Sequence, residues 1–264
     1  MRTKTTTSST TRRDRAQSNV LAFILFFGLI TTFVGAGAFF GISSLDQVSG
    51  SNGQAAAQSS MMQIRGDMYD LSSGAPLRTT ELELLDSTVK YEDPITISIS
   101  ATSSNGTMET QVVKPRPIVY HINDVQYVYV SGAVFLQQDD GAVMKEGPSF
   151  RVDQEQAIIP LINTTHHDGP PTLSYAGDGT GYVVSHKWES NVTRYEPQED
   201  GDPITATATM TVKTPRTKMW SKWFENNPRF SNVQVDNAQN TVSADFQTKR
   251  LFIKIVDVRV KFDI

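Results

Sequence analysis

Hydrophobic and polar positions follow three successive regimes along the chain. From Val20 to Ile42 the pattern is unbroken, 23 residues without a charge. At about 1.5 Å rise per residue a helix of that length spans roughly 34 Å, enough to cross a hydrocarbon core of about 30 Å. The run predicts a transmembrane helix over residues 17–42. In the second regime Ala57, Met61, Ile64, Met68 and Leu71 alternate spacings of four and three, which puts them in one stripe on a helix. This predicts a stalk helix over residues 43–73. Ser49-Gly50-Ser51-Asn52-Gly53 marks a possible kink at 49–53, and Ser72-Ser73-Gly74-Ala75-Pro76 ends the helix. The stripe needs an apolar partner, and the domain that follows is the expected one.

From residue 80 the period changes to two. Ile95, Ile97 and Ile99 alternate with Thr96, Ser98 and Ser100, and Ala206, Ala208, Met210 and Val212 alternate with threonines. Val125, Tyr127 and Tyr129 share one face while Val128 and Val130 hold the other, the pattern of a strand covered on both sides. Near the end Leu251, Ile253 and Ile255 are in one phase, and Val256, Val258, Val260 and Phe262 in the opposite one, so a bulge or twist near 255 is expected. Turn clusters separate the strands at 103–106, 139–141, 167–171, 177–179 and 199–203. One helix interrupts them between Pro215 and Asn227, with Trp220, Trp223 and Phe224 on one face. Its favoured role is to plug the end of the β core rather than to touch a ligand or membrane. The expected fold class is α+β: a long N-terminal transmembrane and stalk helix, then an antiparallel β-sandwich-like external domain over residues 80–264 with one short Trp-containing helix.

Charge orients this arrangement. Residues 1–16 form a basic leader peptide in which Arg2, Lys4, Arg12, Arg13 and Arg15 outweigh Asp14, a net of +4. Residues 17–42 carry no charge, so a total of −4 leaves −8 for the remainder. Positive charge ahead of the span places the N-terminus in the cytoplasm and the C-terminal domain outside. The acidic exterior argues against nucleic acid as a partner. There is no cysteine, which excludes disulfides, thiolate metal sites, cysteine catalysis and a lipid-modified cysteine anchor.

Three fates for the N-terminal segment remain open. Ordinary signal peptidase would cut after Ala38, since Ala36-Gly37-Ala38 fits its pattern, although the apolar run continues past that point. An uncleaved anchor would keep the whole leader. The third is a prepilin-like signal. The segment Arg15-Ala16-Gln17-Ser18-Asn19-Val20-Leu21-Ala22-Phe23 resembles the class III signals of archaeal pilin-like proteins: a basic stretch, a small residue, a polar residue, then the apolar run. That resemblance implies cleavage between Ala16 and Gln17 by a prepilin peptidase. Bacterial pilins often carry Glu five residues into the mature helix; Leu21 stands there in this chain.

Together with that junction, Ile118 to Val152, the Trp220–Phe224 helix and the closing strand Ile255 to Phe262 make the chain similar to haloarchaeal pilin-like surface proteins of unassigned biochemical role. The resemblance implies a structural or assembly subunit of a type IV pilus-like cell-surface system, a single-pass membrane protein whose partners are other pilin-like subunits. It implies no enzyme activity, no catalytic residue and no cofactor. The alternative is an uncleaved, singly anchored extracellular binding module or envelope enzyme.

Candidate chemistry is sparse. Gly37 and Gly41 form a small-xxx-small pair that would let neighbouring helices pack closely. Asn105, Asn163 and Asn191 each begin an Asn-X-Thr glycosylation sequon. His166-His167-Asp168 and the acidic run Glu199 to Asp202 lack the spacing of zinc or calcium sites and read as polar turns. No G-x-S-x-G, P-loop, H-E-x-x-H or G-x-G-x-x-G pattern occurs.

Overall fold

The amphipathic stripe after residue 53 does fold as a helix and lies flat on a β-sheet. The computed structural model describes residues 53–138 and 141–264. Helix α1 (53–73) buries Ala57, Met61, Ile64, Met68 and Leu71, each at most 1 % exposed. Each of its four larger stripe residues contributes roughly 1.5–3 kcal/mol before conformational entropy is set against it. The helix ends in a Schellman motif: Gly74 has φ 132°, its N–H donates to Leu71 O, and Ala75 N–H donates to Asp70 O.

The surface under α1 is a nine-stranded sheet. It comprises β1 (Leu77–Tyr91), β5 (Ile118–Ile122), β6 (Val125–Val130), β7 (Ala133–Gln138), β8 (Gly141–Glu146), β9 (Arg151–Val152), β10 (Ala157–His166), β11 (Thr172–Tyr195) and β17 (Leu251–Asp263). Their spatial order is β8-β7-β6-β5-β1-β11-β17-β10-β9. Its other face packs on a six-stranded sheet made of β2 (Thr96–Ser103), β3 (Gly106–Thr107), β4 (Gln111–Val113), β14 (Ala206–Lys213), β15 (Ser231–Asp236) and β16 (Thr241–Thr248). Strands β12 (Gln198–Glu199) and β13 (Asp202–Pro203) form a separate small hairpin. Helix α2 (Thr217–Glu225) follows β14.

Two cores result. On the helix side, the α1 stripe meets Leu82, Leu84, Tyr120, Tyr129, Val258 and Phe262 among others. On the sandwich side, Val128, Phe135 and Ile253 meet Ile97, Met210 and Phe246, with Trp220 and Phe224 of α2 closing one end. Strand β6 supplies both, Tyr127 and Tyr129 to one and Val128 and Val130 to the other.

This arrangement corrects the expected α+β class. The described residues are mostly β, about 60 % strand, with two helices, and no helix among them is long and apolar enough to cross a membrane. The stalk expected over 43–73 is described only from residue 53, and there it is one layer of the domain, because its stripe finds a partner along its whole length. Nor is the sheet wholly antiparallel: β10 and β17 run parallel. The leader, the span over 17–42 and most of the kink at 49–53 lie outside the described residues.

Two sequence expectations are corrected, the first only in where the bulge lies. The phase change near residue 255 is not a bulge in β17, whose pairing with β10 runs unshifted from Leu251 to Val260. Side chains alternate regularly, but the cover changes. Leu251 and Ile253 lie under the six-stranded sheet, whereas Val256 to Phe262 lie under α1 on the opposite face. The extra residue sits in the neighbouring strand, where the β11 register against β17 shifts between Lys187 and Glu189. The cluster at Gly177-Asp178-Gly179 is not a turn either. It lies inside β11, at the register shift opposite Asp86, which has φ 45° and accepts a hydrogen bond from Gly177 N–H at 2.6 Å.

Candidate binding groove

A broad concavity lies where α2 closes the sandwich. The helix forms just after Pro215, and Thr214 Oγ1 accepts the Arg216 N–H. Its aromatic face divides by depth. Trp220 and Phe224 are fully buried, with Phe135 6.0 Å from Trp220 and Phe230 4.9 Å from Phe224 between ring centroids. Trp223, one step around, is half-buried and reaches the rim. It fits only because residue 147 is glycine: a Cβ there would lie 2.2 Å from the indole Nε1.

The groove has two lobes. The first, about 790 Å³, runs between β8 (Val143, Met144), α2 (Lys222, Trp223) and the β15–β16 turn (Asn237, Asn240). The second, about 620 Å³, continues past Gln126 and Lys213 to Glu92 and Asp93. Gln137, Pro215, Arg216 and Asn240 line both. At this junction the Arg216 guanidinium grips the Glu92 carboxylate with two hydrogen bonds of 2.6 and 2.8 Å. The Arg216 side chain is only 8 % exposed, and its Nε has no partner among the described residues. Both lobes fall within the ~300–1,000 Å³ typical of small-molecule sites.

A second depression, about 480 Å³, lies beside the C-terminal end of α1 and contains Arg65, Arg151 and Lys254. Two of its cations serve the fold. Arg65 Nε donates to Gly132 O at 3.0 Å and Lys254 Nζ to Ser72 O.

The residues singled out from sequence are not brought together. Asn105 is exposed in the β2–β3 turn and its Nδ2 donates to Gln198 O. Asn163 is half-buried in β10; its Nδ2 donates to Asp257 Oδ1 at 2.6 Å and its Oδ1 is buried without a partner. Asn191 is exposed on β11. His167 lies 3.4 Å from Asp168 in an exposed turn, and among the described residues no group of three or more His, Cys, Asp or Glu could hold a metal ion. Ala16, Gln17, Gly37 and Gly41 lie outside the described residues. Sequence reasoning named Trp223 only as part of a plug and missed Gln126, Gln137, Asn226, Asn237 and Asn240. These come from four separate stretches of chain, so no local motif marks them.

A family model matches residues 15–261, nearly the whole chain. The chain belongs to DUF7289, a family of unknown function. No curated protein and no solved structure matches it. The DUF7289 match takes in the apolar segment 20–42 together with α1, both sheets and the groove.

Proposed function

We propose that this DUF7289 member is a pilin-like structural subunit of an archaeal type IV pilus-like surface system, held at the membrane by its apolar segment 20–42 with the β domain outside. The role is structural rather than catalytic. The observation that supports it most is α1. The chain passes from the apolar segment through ten residues into a helix whose apolar face is buried along its length on the nine-stranded sheet. A pull on the N-terminal segment would therefore load the sheet directly. Hydrogen bonds from Thr80 Oγ1 to Asp67 Oδ2 at 2.6 Å and from Arg78 to Asp70 at 3.0 Å add lateral ties. Its partners in this reading are a prepilin peptidase acting between Ala16 and Gln17, and further pilin-like subunits that replace lipid around the apolar segment.

Mass spectrometry of the mature N-terminus tests the reading. A chain beginning at Gln17 is expected. A chain that keeps Met1 to Arg15, or one that starts after Ala38, rejects it. In cells lacking the filament-assembly ATPase, the protein should stay in the membrane and be lost from surface filaments. The groove beside α2 favours one other reading, an anchored extracellular binding module that never assembles, which predicts an intact leader and no dependence on the ATPase.

A further inference from the structure

We infer that the two-lobed groove beside α2 is a binding site for a neutral oligosaccharide. The inference rests on the groove itself and stands whether or not the chain assembles. Five carboxamides line it: Gln126, Gln137, Asn226, Asn237 and Asn240. None of these side-chain amides hydrogen-bonds to protein among the described residues. Elsewhere in the domain Asn105, Asn163 and Asn232 donate from their side chains within the fold, whereas exposed Asn123 and Asn191, like the groove's amides, make no such bond among the described residues. A carboxamide presents two N–H donors beside a carbonyl acceptor, and a sugar hydroxyl both donates and accepts. Carboxamides in the lining can therefore pair with sugar hydroxyls in both senses, which lysines or carboxylates alone cannot do.

The apolar part of the lining fits the same ligand. Trp223 borders the first lobe, and its aromatic neighbours Phe150, Trp220, Phe224 and Phe230 meet it tilted or edge-on, between 55° and 80°. No described aromatic ring is stacked parallel to the indole, which is half-buried and borders the lobe. Val143, 44 % exposed, and Met144 extend this wall. A pyranose has one face of C–H groups and a rim of hydroxyls, and it can lay the first on such a wall while the rim meets the amides.

Charge argues for a neutral ligand. The one arginine in the lining, Arg216, is already committed to Glu92. Planar bidentate recognition of a carboxylate, sulfate or phosphate would need a free guanidinium. The remaining charges in the lining include Lys213, Lys218, Lys222 and Asp93, exposed point charges of both signs, and none is a free guanidinium.

The full-length chain, held in a zwitterionic detergent so that no sugar headgroup competes, is titrated with maltotriose, cellotriose, mannotriose and chitotriose. Trigalacturonate serves as the anionic probe, and tryptophan fluorescence and calorimetry are the readouts. Saturable binding of at least one neutral trisaccharide is expected. The paired substitution Asn226→Ala with Asn237→Ala should weaken it about tenfold or more while leaving thermal melting unchanged. Gln126→Ala, in the other lobe, is the second variant should the pair melt early, and Trp188→Ala, on β11, should bind as the unaltered protein does. Absence of saturable binding by all four neutral sugars overturns the inference. So does binding that ignores both groove variants, or binding of trigalacturonate in preference to every neutral probe.

Discussion

The two covers of the nine-stranded sheet are assembled at very different distances along the chain. On one face the cover is α1, a single helix joined to β1 by a tight turn, and its stripe is readable in one stretch of sequence. On the other face the cover is a second sheet whose strands β2, β14 and β16 come from residues 96–103, 206–213 and 241–248, sealed at one end by α2. The first is a local contact that could peel away as a unit. The second closes only when distant segments meet, so its loss should be global.

Substitutions that empty one side or the other should separate these behaviours. The largest effect is expected from Trp220→Ala, which removes a fully buried indole from the sandwich side. It should cost about 3–5 kcal/mol in denaturant unfolding, with a single cooperative transition. Met68→Ala, on the helix side and also fully buried, should cost about 2–4 kcal/mol. Hydrogen exchange should then accelerate in 53–73 well before it does in β14 or β16; equal acceleration in both regions would abolish the distinction.

Glu92→Ala tests the clamp at the sandwich end. It strips both partners from a guanidinium that is 8 % exposed. Because Glu92 itself is 27 % exposed and water can partly replace it, about 2 kcal/mol is expected rather than the full cost of a buried charge. Glu92→Gln should recover part of that loss, as measured by thermal melting.

Tyr91→Phe gives the smallest effect, on the helix side. Tyr91 stacks on Phe262 at 4.2 Å and donates its phenol to Val260 O at 2.8 Å, a bond worth about 1 kcal/mol. Burial pushes this phenol far above its ordinary range. The unfolded chain ionises near pH 10, while the folded one keeps its proton. The resulting stability is complete below about pH 10 and falls as pH rises beyond it. Tyr91→Phe should flatten that alkaline decline; buried Tyr129, raised in the same way, accounts for part of what remains.

Legibility in the sequence followed the same local and non-local divide. The α1 stripe, the Gly74 stop and the Trp220–Phe224 face were readable because three to seven residues decide each of them. The phase change in β17 was visible but misassigned. Periodicity reports which positions are covered, and a regular strand passing from one cover to another gives the same signal as a bulge. The length of β11 was hidden because its interior irregularity uses glycine and aspartate, the residues of turns. The groove was not legible at all, since its carboxamides have no helical or strand period and meet only after both sheets have formed.

Strand β17 follows every other described strand, yet it lies between β11 and β10 in the interior of the nine-stranded sheet. Until residues 251–263 arrive, β11 and β10 each present an unpaired edge toward the other. A chain emerging from the ribosome would carry both edges bare while the 55 residues between Tyr195 and Leu251 follow. Bare edges recruit strands from other molecules. Safe passage of this domain therefore calls for keeping the nascent chain apart from its copies until its last strand can be zipped into the gap.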